Sequence, residues 1–275
     1  MSTTATAKPR LAVRITESAI MVALATILSF LKLVDLPYGG SITLASMLPI
    51  LLIAYRHGTG WGLLTGFVHG VVQFVLGTSV LSYVTGALSV AAVIVFDYFL
   101  AFAVIGFGGI FRKTIKQQNV SLACGAILAA LLRYICHVIS GCTVWAGLSI
   151  PTAGALAYSF IYNATYMLPE ALVLAFAAYY IGSSLDFGSP RLRAIAKDNK
   201  VAAPFVARLI SGALLCGAGI YDVSAVFSTL QNAETGEFDI TGIVNTNWIA
   251  VAIVTAVAVL AFIIVCAVLR TNKEK

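Results

Sequence analysis

Long apolar segments dominate this chain and restrict the environment in which it can fold. A helix needs about 20 mostly apolar residues, within a range of about 17–25, to cross the hydrocarbon core of a bilayer. Eight segments approach or exceed that length: 15–34, 41–55, 61–78, 82–111, 120–141, 154–182, 205–229 and 247–269. Charged residues make up 10% of the chain and its mean hydropathy is +0.97, whereas soluble domains carry about 25% charged residues. The sequence therefore predicts an all-α integral membrane protein.

The basic residues indicate how the predicted spans are oriented. With the N-terminus placed in the cytoplasm, all but two of the 17 Lys and Arg residues fall in cytoplasmic positions. The exceptions are Lys32, near the outer end of the first segment, and Arg133, within the fifth. Lys and Arg are enriched in cytoplasmic loops of membrane proteins. We therefore expect a multi-pass protein of a prokaryotic plasma membrane with both termini cytoplasmic, and the net charge of +6 needs no nucleic-acid partner.

A polar and basic stretch divides the chain into two unequal parts. Residues 183–204 combine Gly, Ser and Pro with several basic side chains, which is typical of a loop. We expect a six-span substrate-binding unit at 1–182, a cytoplasmic linker at 183–204 and a two-span extension at 205–275. The second segment, 41–55, is short for a span, so we expect it to be tilted, incomplete or protected inside the bundle.

Polar and ionisable side chains interrupt the apolar segments of the larger part. They are Asp97, Arg133, His137, Tyr158, Asn163 and Glu170. An ionisable group in a spanning helix costs at least about 2.5–3.5 kcal/mol, so its presence indicates a functional site. Arg133 and His137 are four residues apart and share one helix face. We expect Asp97 either to pair with Arg133 or to meet a cationic ligand, and Glu170 is a second candidate partner for Arg133.

Aromatic residues accompany these polar groups. Tyr98 adjoins Asp97, and Trp145 lies near the outer end of the fifth segment. A further stripe spaced by four residues comprises Tyr158, Tyr162 and Tyr166. Aromatic faces attract cations, and a carboxylate accepts hydrogen bonds from N–H groups. This combination suits a flat, cationic, heteroaromatic ligand that forms hydrogen bonds.

The sequence contains no motif typical of a catalytic or metal centre. HExxH, GxSxG, Walker A and CxxC patterns are all missing, and the five cysteines lie in or beside the apolar segments, where they suit packing. We therefore expect no enzymatic activity, no metal and no cofactor. An ATP-driven step would require a partner protein, and an intramembrane enzyme is the least favoured reading.

Five ordered segments carry a family resemblance. They read TESAIMVALATILSF, SITLASMLPILLIAYRHG, FDYFLAF, RYICHVISGCTVW and YSFIYNATYMLPE. Over roughly residues 10–182 the chain resembles the thiamine-specific substrate-binding subunits (S components) of energy-coupling-factor (ECF) transporters, the ThiT/YuaJ family. The resemblance implies a six-helix S-component bundle, to which two C-terminal transmembrane helices are added. It also implies that the protein captures thiamine from outside and releases it inside.

The resemblance implies six substrate-binding residues. They are Asp97, Tyr98, His137, Trp145, Tyr158 and Asn163. His137 and Trp145 match the pair that flanks the thiazolium ring. Tyr158 and Asn163 match polar contacts from the last helix of the family core, and Asp97 with Tyr98 matches an acid–Tyr pair.

Two positions depart from the family pattern, and one further family contact has a single candidate. Asp97 stands where some relatives have Glu, and His69 stands where another member has Trp. Tyr38 is the only candidate for the loop aromatic that covers the ligand in the family. The two substitutions keep open an S component for a related heterocyclic vitamin or a thiamine precursor.

The resemblance further implies a membrane scaffold subunit and two cytoplasmic ATPases as partners. Family members dock through an AxxxA motif on the first helix, and Ala19 with Ala23 has that spacing. Small residues four apart let helices approach closely, within one chain as well as between chains. A different class of function also stays open, because Asp97, Arg133 and Glu170 could serve a self-sufficient proton-coupled transporter.

Overall fold

Helices form most of the part of the chain that the structure describes. The computed structural model describes residues 11–35, 40–147, 152–189, 191–195, 199–230 and 240–271. Eight helices in these ranges are α1 (Leu11–Phe30), α2 (Leu48–His57), α3 (Thr59–Leu76), α4 (Ala87–Arg112), α5 (Gln118–Gly147), α6 (Thr152–Gly182), α7 (Asn199–Leu230) and α8 (Trp248–Thr271). Antiparallel pairs join β1 (Lys32–Asp35) to β2 (Ser41–Thr43) and β3 (Leu185–Asp186) to β4 (Arg193–Ala194). Short 3₁₀ segments lie at Thr78–Tyr83 and Ile240–Asn245.

The predicted fold class is confirmed: the chain is an all-α membrane protein with a six-helix bundle and two further helices. Seven of the described helices are long and apolar enough to cross a bilayer. The exception is α2, which has 10 residues because the hairpin takes the first part of the predicted segment 41–55. Pro49 occupies the first turn of α2, where a missing N–H is harmless. Every α2 residue from Pro49 to Tyr55 is buried, so this short helix is shielded by its neighbours.

One end of the bundle, which carries β3 and β4, is fixed by Arg56. Its Nε and Nη2 donate to the two oxygens of Glu17 on α1, at 2.7 and 3.0 Å. Its Nη1 donates to the carbonyl oxygen of Ser189, at 2.9 Å. A forked contact of this kind fixes direction as well as distance. At the same end, hydrogen bonds from Ser189 and the Gly188 N–H hold the pKa of Asp186 below its usual value.

Two buried clusters organise the interior. The larger surrounds α2 and includes Phe102 of α4, Leu122 of α5 and Leu174 of α6. It also includes Phe187, only 3% exposed, so residues just after the predicted boundary at 182 pack on the bundle. The smaller cluster, near β1 and β2, comprises Ile42, Ala130, Ala155, Tyr162, Tyr166, Met167, Phe227 and Leu230. The last turns of α7 therefore contact the aromatic face of α6.

The two C-terminal helices lie at the edge of the bundle. α7 packs on α6, where the Tyr180 hydroxyl donates to the carbonyl of Arg208 and Phe176 lies against Gly212. α8 packs chiefly against α7. The two helices are linked by a hydrogen bond from the Thr255 hydroxyl to the Asp222 carboxylate.

Candidate functional site

A cavity of about 590 Å³ lies inside the six-helix bundle. It extends from Ser29 and Lys32, beside the β1–β2 hairpin, to Phe102 and Glu170 in the interior. Helices α1, α3, α4, α5 and α6 and the hairpin all contribute to its lining. Ligand pockets commonly have volumes of about 300–1,000 Å³, so the space is sufficient for a small heteroaromatic molecule.

An irregular turn of α4 presents Asp97 and Tyr98 to this cavity. Residues Val93–Leu100 are π-helical, and the Ala101 N–H bonds to the carbonyl of Phe96, five residues back. Such turns are rare and frequently occur at functional sites. The Tyr98 hydroxyl donates to the carbonyl of Gly77, at 2.9 Å. A β-carbon at Gly77 would overlap this hydroxyl, so a larger residue at position 77 would have to displace the Tyr98 side chain.

Asp97 terminates a chain of hydrogen bonds that begins at Arg133. The Arg133 Nε donates to His137 Nε2, at 3.1 Å, so Nε2 is the unprotonated ring nitrogen. His137 Nδ1 then carries the proton and donates to Asp97 Oδ1, at 2.8 Å. The Ser140 hydroxyl donates to Asp97 Oδ2, at 2.7 Å. These bonds assign a neutral imidazole and an ionised carboxylate that retains unused lone pairs.

The guanidinium of Arg133 does not form the direct ion pair expected from the sequence. Among the residues that the structure describes, no carboxylate lies within 4.0 Å of it. Its Cζ instead lies 4.5 Å from the ring centroid of Phe102. The reason is the spacing along α5, because His137 is one turn after Arg133 on the same face and stands between Arg133 and Asp97.

Glu170 bonds to the hairpin rather than to Arg133. The carboxylate is almost fully buried, with the residue 2% exposed, and it lines the cavity. Its Oε2 accepts the Thr43 N–H at 2.8 Å, and its Oε1 accepts the Thr43 hydroxyl at 2.6 Å. The same hydroxyl lies 2.8 Å from Ser46 Oγ. A second acid in the cavity thus holds β2 against α6.

Asn163 braces the wall between α5 and α6. Its Nδ2 donates to the carbonyls of Ser159 and His137, at 2.8 and 3.3 Å, and its Oδ1 accepts the Tyr166 hydroxyl. The side-chain amide is therefore largely engaged by the protein itself. Tyr166, held in this way, stands edge-on to Tyr162, and both rings line the cavity.

The structure brings four of the six predicted site residues into one cavity. They are Asp97, Tyr98, His137 and Asn163. Tyr158 is half-buried, is not among the cavity-lining residues and packs beside the smaller core cluster. The backbone of Trp145 belongs to α5, but its side chain lies outside the part that the structure describes, as does the whole of Tyr38.

Sequence reasoning left several lining residues out of the predicted site, among them Tyr162, Tyr166 and Glu170. Tyr162 and Tyr166 belong to the same stripe as Tyr158, and the spacing alone did not show which of the three faces inward. Glu170 was expected to be structural, and only the fold shows that its carboxylate borders the cavity.

Two other features of this region restrict its chemistry. His69 is fully buried and edge-on to Phe102, and it does not line the cavity. Within the part of the chain that the structure describes, neither of its ring nitrogens has a hydrogen-bond partner. Within the described ranges, no group of three His, Cys, Asp or Glu side chains could hold a metal ion.

Comparisons with known proteins agree on one family. The sequence matches the thiamine transporter protein family (Thia_YuaJ) over residues 15–186. It is 35% identical over 174 residues to the thiamine transporter ThiT of Bacillus subtilis, covering 59% of this chain and 86% of that protein. It is 27% identical over 168 residues to ThiT of Lacticaseibacillus paracasei, covering 54% of this chain and 76% of that protein.

A solved structure shares the fold. ThiT from Listeria monocytogenes superposes with a TM-score of 0.51 at 24% sequence identity. The superposition covers 62% of this chain and 93% of the Listeria chain.

Proposed function

The chain belongs to the Thia_YuaJ thiamine transporter family, and we propose that it is the thiamine-binding S component of an ECF importer. The family assigns a transport role rather than enzymatic activity, and seven apolar helices make the protein multi-pass. The proposal adds three points to the family membership: the substrate-binding residues, the orientation in the membrane and the partner proteins.

The observation that carries this proposal is the ionised Asp97 at the end of its hydrogen-bond chain. Thiamine is a cation with an aminopyrimidine ring, so it offers both positive charge and N–H donors. Asp97 has spare acceptor capacity, and its side chain is 24% exposed within the cavity. Aromatic rings from α4 and α6 line the same space. Asp97, Tyr98, His137 and Asn163, with Trp145 and Tyr158 from the family pattern, are the proposed substrate-binding residues.

The proposed partners are a membrane scaffold subunit and two ATPases. Ala19 and Ala23 are both exposed on α1, whereas Ala25 is the buried alanine of that helix. Their exposure favours contact with another protein over packing within this chain.

The proposed orientation places the β1–β2 end outside and the β3–β4 end, with the basic loops, in the cytoplasm.

Calorimetry of the detergent-purified chain tests the substrate assignment. Titration against thiamine, its phosphates, its pyrimidine precursor and other heterocyclic vitamins should give the tightest binding for thiamine. Tighter binding of another compound would replace the proposed substrate. If none of these compounds binds, the proposed function is wrong.

Ala23→Trp tests the docking face. A large side chain at a position where helices pack through small residues prevents their close approach. The variant should therefore bind thiamine normally, but it should neither capture the ATPase module nor support transport. Ala252→Trp is the matched control, because Ala252 is an exposed alanine on α8. Normal capture by the Ala23 variant would contradict docking at this face.

A proton-coupled transporter is the second candidate, since Asp97, Arg133 and Glu170 line one cavity. Proteoliposomes that contain this chain alone distinguish the two. Thiamine uptake driven by a proton gradient would favour proton coupling. Uptake that requires the ATPase module and ATP would favour the S component.

A further inference from the structure

Arg133 is a charged cavity residue to which the proposed S component gives no role. It is half-buried, it lines the cavity and it is not one of the six proposed contacts. Its guanidinium stands over the ring of Phe102, and its Nε donates to His137 Nε2 at 3.1 Å. A guanidinium inside a spanning helix is costly, so its presence indicates a function.

The hydrogen bond between Arg133 and His137 has a fixed direction. A guanidinium carries five N–H donors and no acceptor, and it does not lose its proton in proteins. The nitrogen that it faces must therefore offer a lone pair, and His137 Nε2 cannot hold a proton while this bond persists. His137 Nδ1 donates to Asp97 Oδ1 at 2.8 Å. The ring thus carries one proton, on Nδ1.

Without Arg133, His137 Nε2 would be free to take a second proton. The resulting imidazolium would form an ion pair with Asp97, and a nearby opposite charge stabilises the charged form of a histidine. Both side chains line the cavity, so this ion pair would engage the carboxylate and place a positive charge on the wall that receives a cationic ligand. Arg133 keeps the positive charge one imidazole ring farther from Asp97.

The other groups around His137 do not take the place of Arg133. The charged groups that act on the ring are Asp97 from α4 and Arg133 from α5 itself. From α6, Tyr166 stands edge-on to the ring, with centroids 6.0 Å apart, and its hydroxyl bonds within α6. Glu170, also on α6, bonds to the β1–β2 hairpin. Arg133 is therefore the group positioned at Nε2.

We propose that Arg133 is a positioning residue that keeps His137 neutral, with its proton on Nδ1, and so leaves Asp97 available to a monocationic ligand. The inference rests on the proposed function and deepens it. It explains how a site for a cation contains a histidine–aspartate pair whose two members do not neutralise each other. Arg133 acts through His137, and its contact with the ligand is not required.

Nitrogen-15 NMR of the full-length chain, labelled at histidine, measures the state of His137 without any ligand. The chain has three histidines, His57, His69 and His137, and His137→Gln identifies the signals of His137 by their loss. In the unaltered chain we expect one protonated and one unprotonated ring nitrogen for His137 at every pH between about 8 and about 5, where histidines ordinarily titrate. An imidazolium signal from His137 in this range would overturn the proposal.

Two substitutions of Arg133 test whether this residue is the cause. Arg133→Met keeps an unbranched side chain and removes the donors, so His137 should become an imidazolium as the pH falls through the same range. Arg133→Lys introduces an ammonium, which also has donors and no acceptor, so His137 should stay neutral. Equal protonation of His137 in the two variants would overturn the proposal.

Thiamine titrations across this pH range measure the functional consequence. Between about pH 8 and about pH 5, Arg133→Met should lose at least about tenfold more affinity than the unaltered chain, because an imidazolium repels a cation. Protonation of thiamine itself affects both chains alike. Glu170→Gln, introduced into both chains, is the control for the neighbouring acid, and the difference between the two should persist.

A role of Arg133 in packing alone gives a different result. Loss of its contact with Phe102 would weaken thiamine binding by the same factor at every pH, and this outcome would overturn the proposal. Failure of the unaltered chain to bind thiamine at any pH would instead overturn the proposed function, because the NMR measurement of His137 requires no ligand.

Discussion

Two regions of this protein each contain an aspartate in a membrane helix, and their surroundings differ. Asp97 of α4 accepts from Ser140 of α5, and Asp222 of α7 accepts from Thr255 of α8. Around Asp97 the bonds continue through His137 to Arg133. In the most apolar stretch of α4, which carries Asp97, 28% of the residues are buried, whereas the corresponding share is 17% in α7, which carries Asp222, and 6% in α8.

The difference shows that a buried acid is informative only together with its neighbours. An acid in a spanning helix is a functional candidate by default. A single hydroxyl partner also links two helices without any ligand, and hydrogen bonds of this kind contribute about 0.6 kcal/mol on average. Asp97 borders a cavity and ends a chain of donors, so we assign it to binding. Asp222 joins two peripheral helices, so we assign it to their packing.

The largest expected effect is the loss of thiamine binding in Asp97→Asn. Removing one charge from a buried, hydrogen-bonded set costs about 2–5 kcal/mol, so calorimetry should show a weakening of at least about 30-fold. Asp222→Asn is the matched variant in the other region, and its thiamine affinity should be unchanged. If both variants lose thiamine affinity equally, the two aspartates do not differ in function and the comparison is wrong.

Trp145→Ala is expected to have the next largest effect. An aromatic face over a desolvated cation contributes about 2 kcal/mol, and we propose from the family resemblance that this side chain lies against the thiazolium ring. Trp248→Ala, at the start of α8, is the control and should bind normally. Unchanged affinity of the Trp145 variant would remove Trp145 from the proposed site.

A smaller effect separates the two tyrosines of the α6 stripe. Tyr166 lines the cavity and bonds to Asn163, whereas Tyr158 packs beside a core cluster. Loss of one hydrogen bond costs about 0.5–1.5 kcal/mol, so Tyr166→Phe should weaken thiamine binding by that amount. Tyr158→Phe tests the family pattern, which makes Tyr158 a ligand contact. A larger loss of thiamine affinity in this variant than in Tyr166→Phe would favour the family pattern over the cavity lining seen in the structure.

The helices and part of the polar set that lines the cavity could be predicted from the sequence because both depend on local composition. Long apolar segments indicate helices that cross the bilayer, and the polar residues Asp97 and His137 stand out within them. The hydrogen-bond partners could not be predicted. Spacing places Arg133 and His137 on one face but does not show that the imidazole stands between Arg133 and Asp97.

Non-local contacts account for the remaining differences. Glu170 pairs with Thr43, 127 residues earlier in the chain, and no periodicity indicates that pairing. The short α2 and its preceding hairpin depend on shielding by the other helices, which apolar length alone does not reveal. The π-helical turn that carries Asp97 likewise has no sequence signal in this chain.

The comparison also predicts where the binding unit ends. We propose that residues 1–182 form this unit, that 183–204 link it to the rest and that 205–275 are accessory. Phe187 and the Ser189 carbonyl contact the bundle, so a truncated chain should retain residues through Ser189. Phe227 and Leu230 pack on the Tyr162–Tyr166 face, so removing α7 and α8 is expected to weaken binding slightly.

A thiamine titration of the chain truncated after Ser189 tests the central claim most directly, because that claim places the entire substrate site in the six-helix bundle. The measurement is made by calorimetry beside the full-length chain, after size-exclusion chromatography has shown both to be folded and monodisperse. We expect one binding site in each and a difference in affinity of less than about tenfold, or about 1.4 kcal/mol. A folded, monodisperse truncated chain that binds no thiamine would contradict the account, because α7 or α8 would then form part of the site.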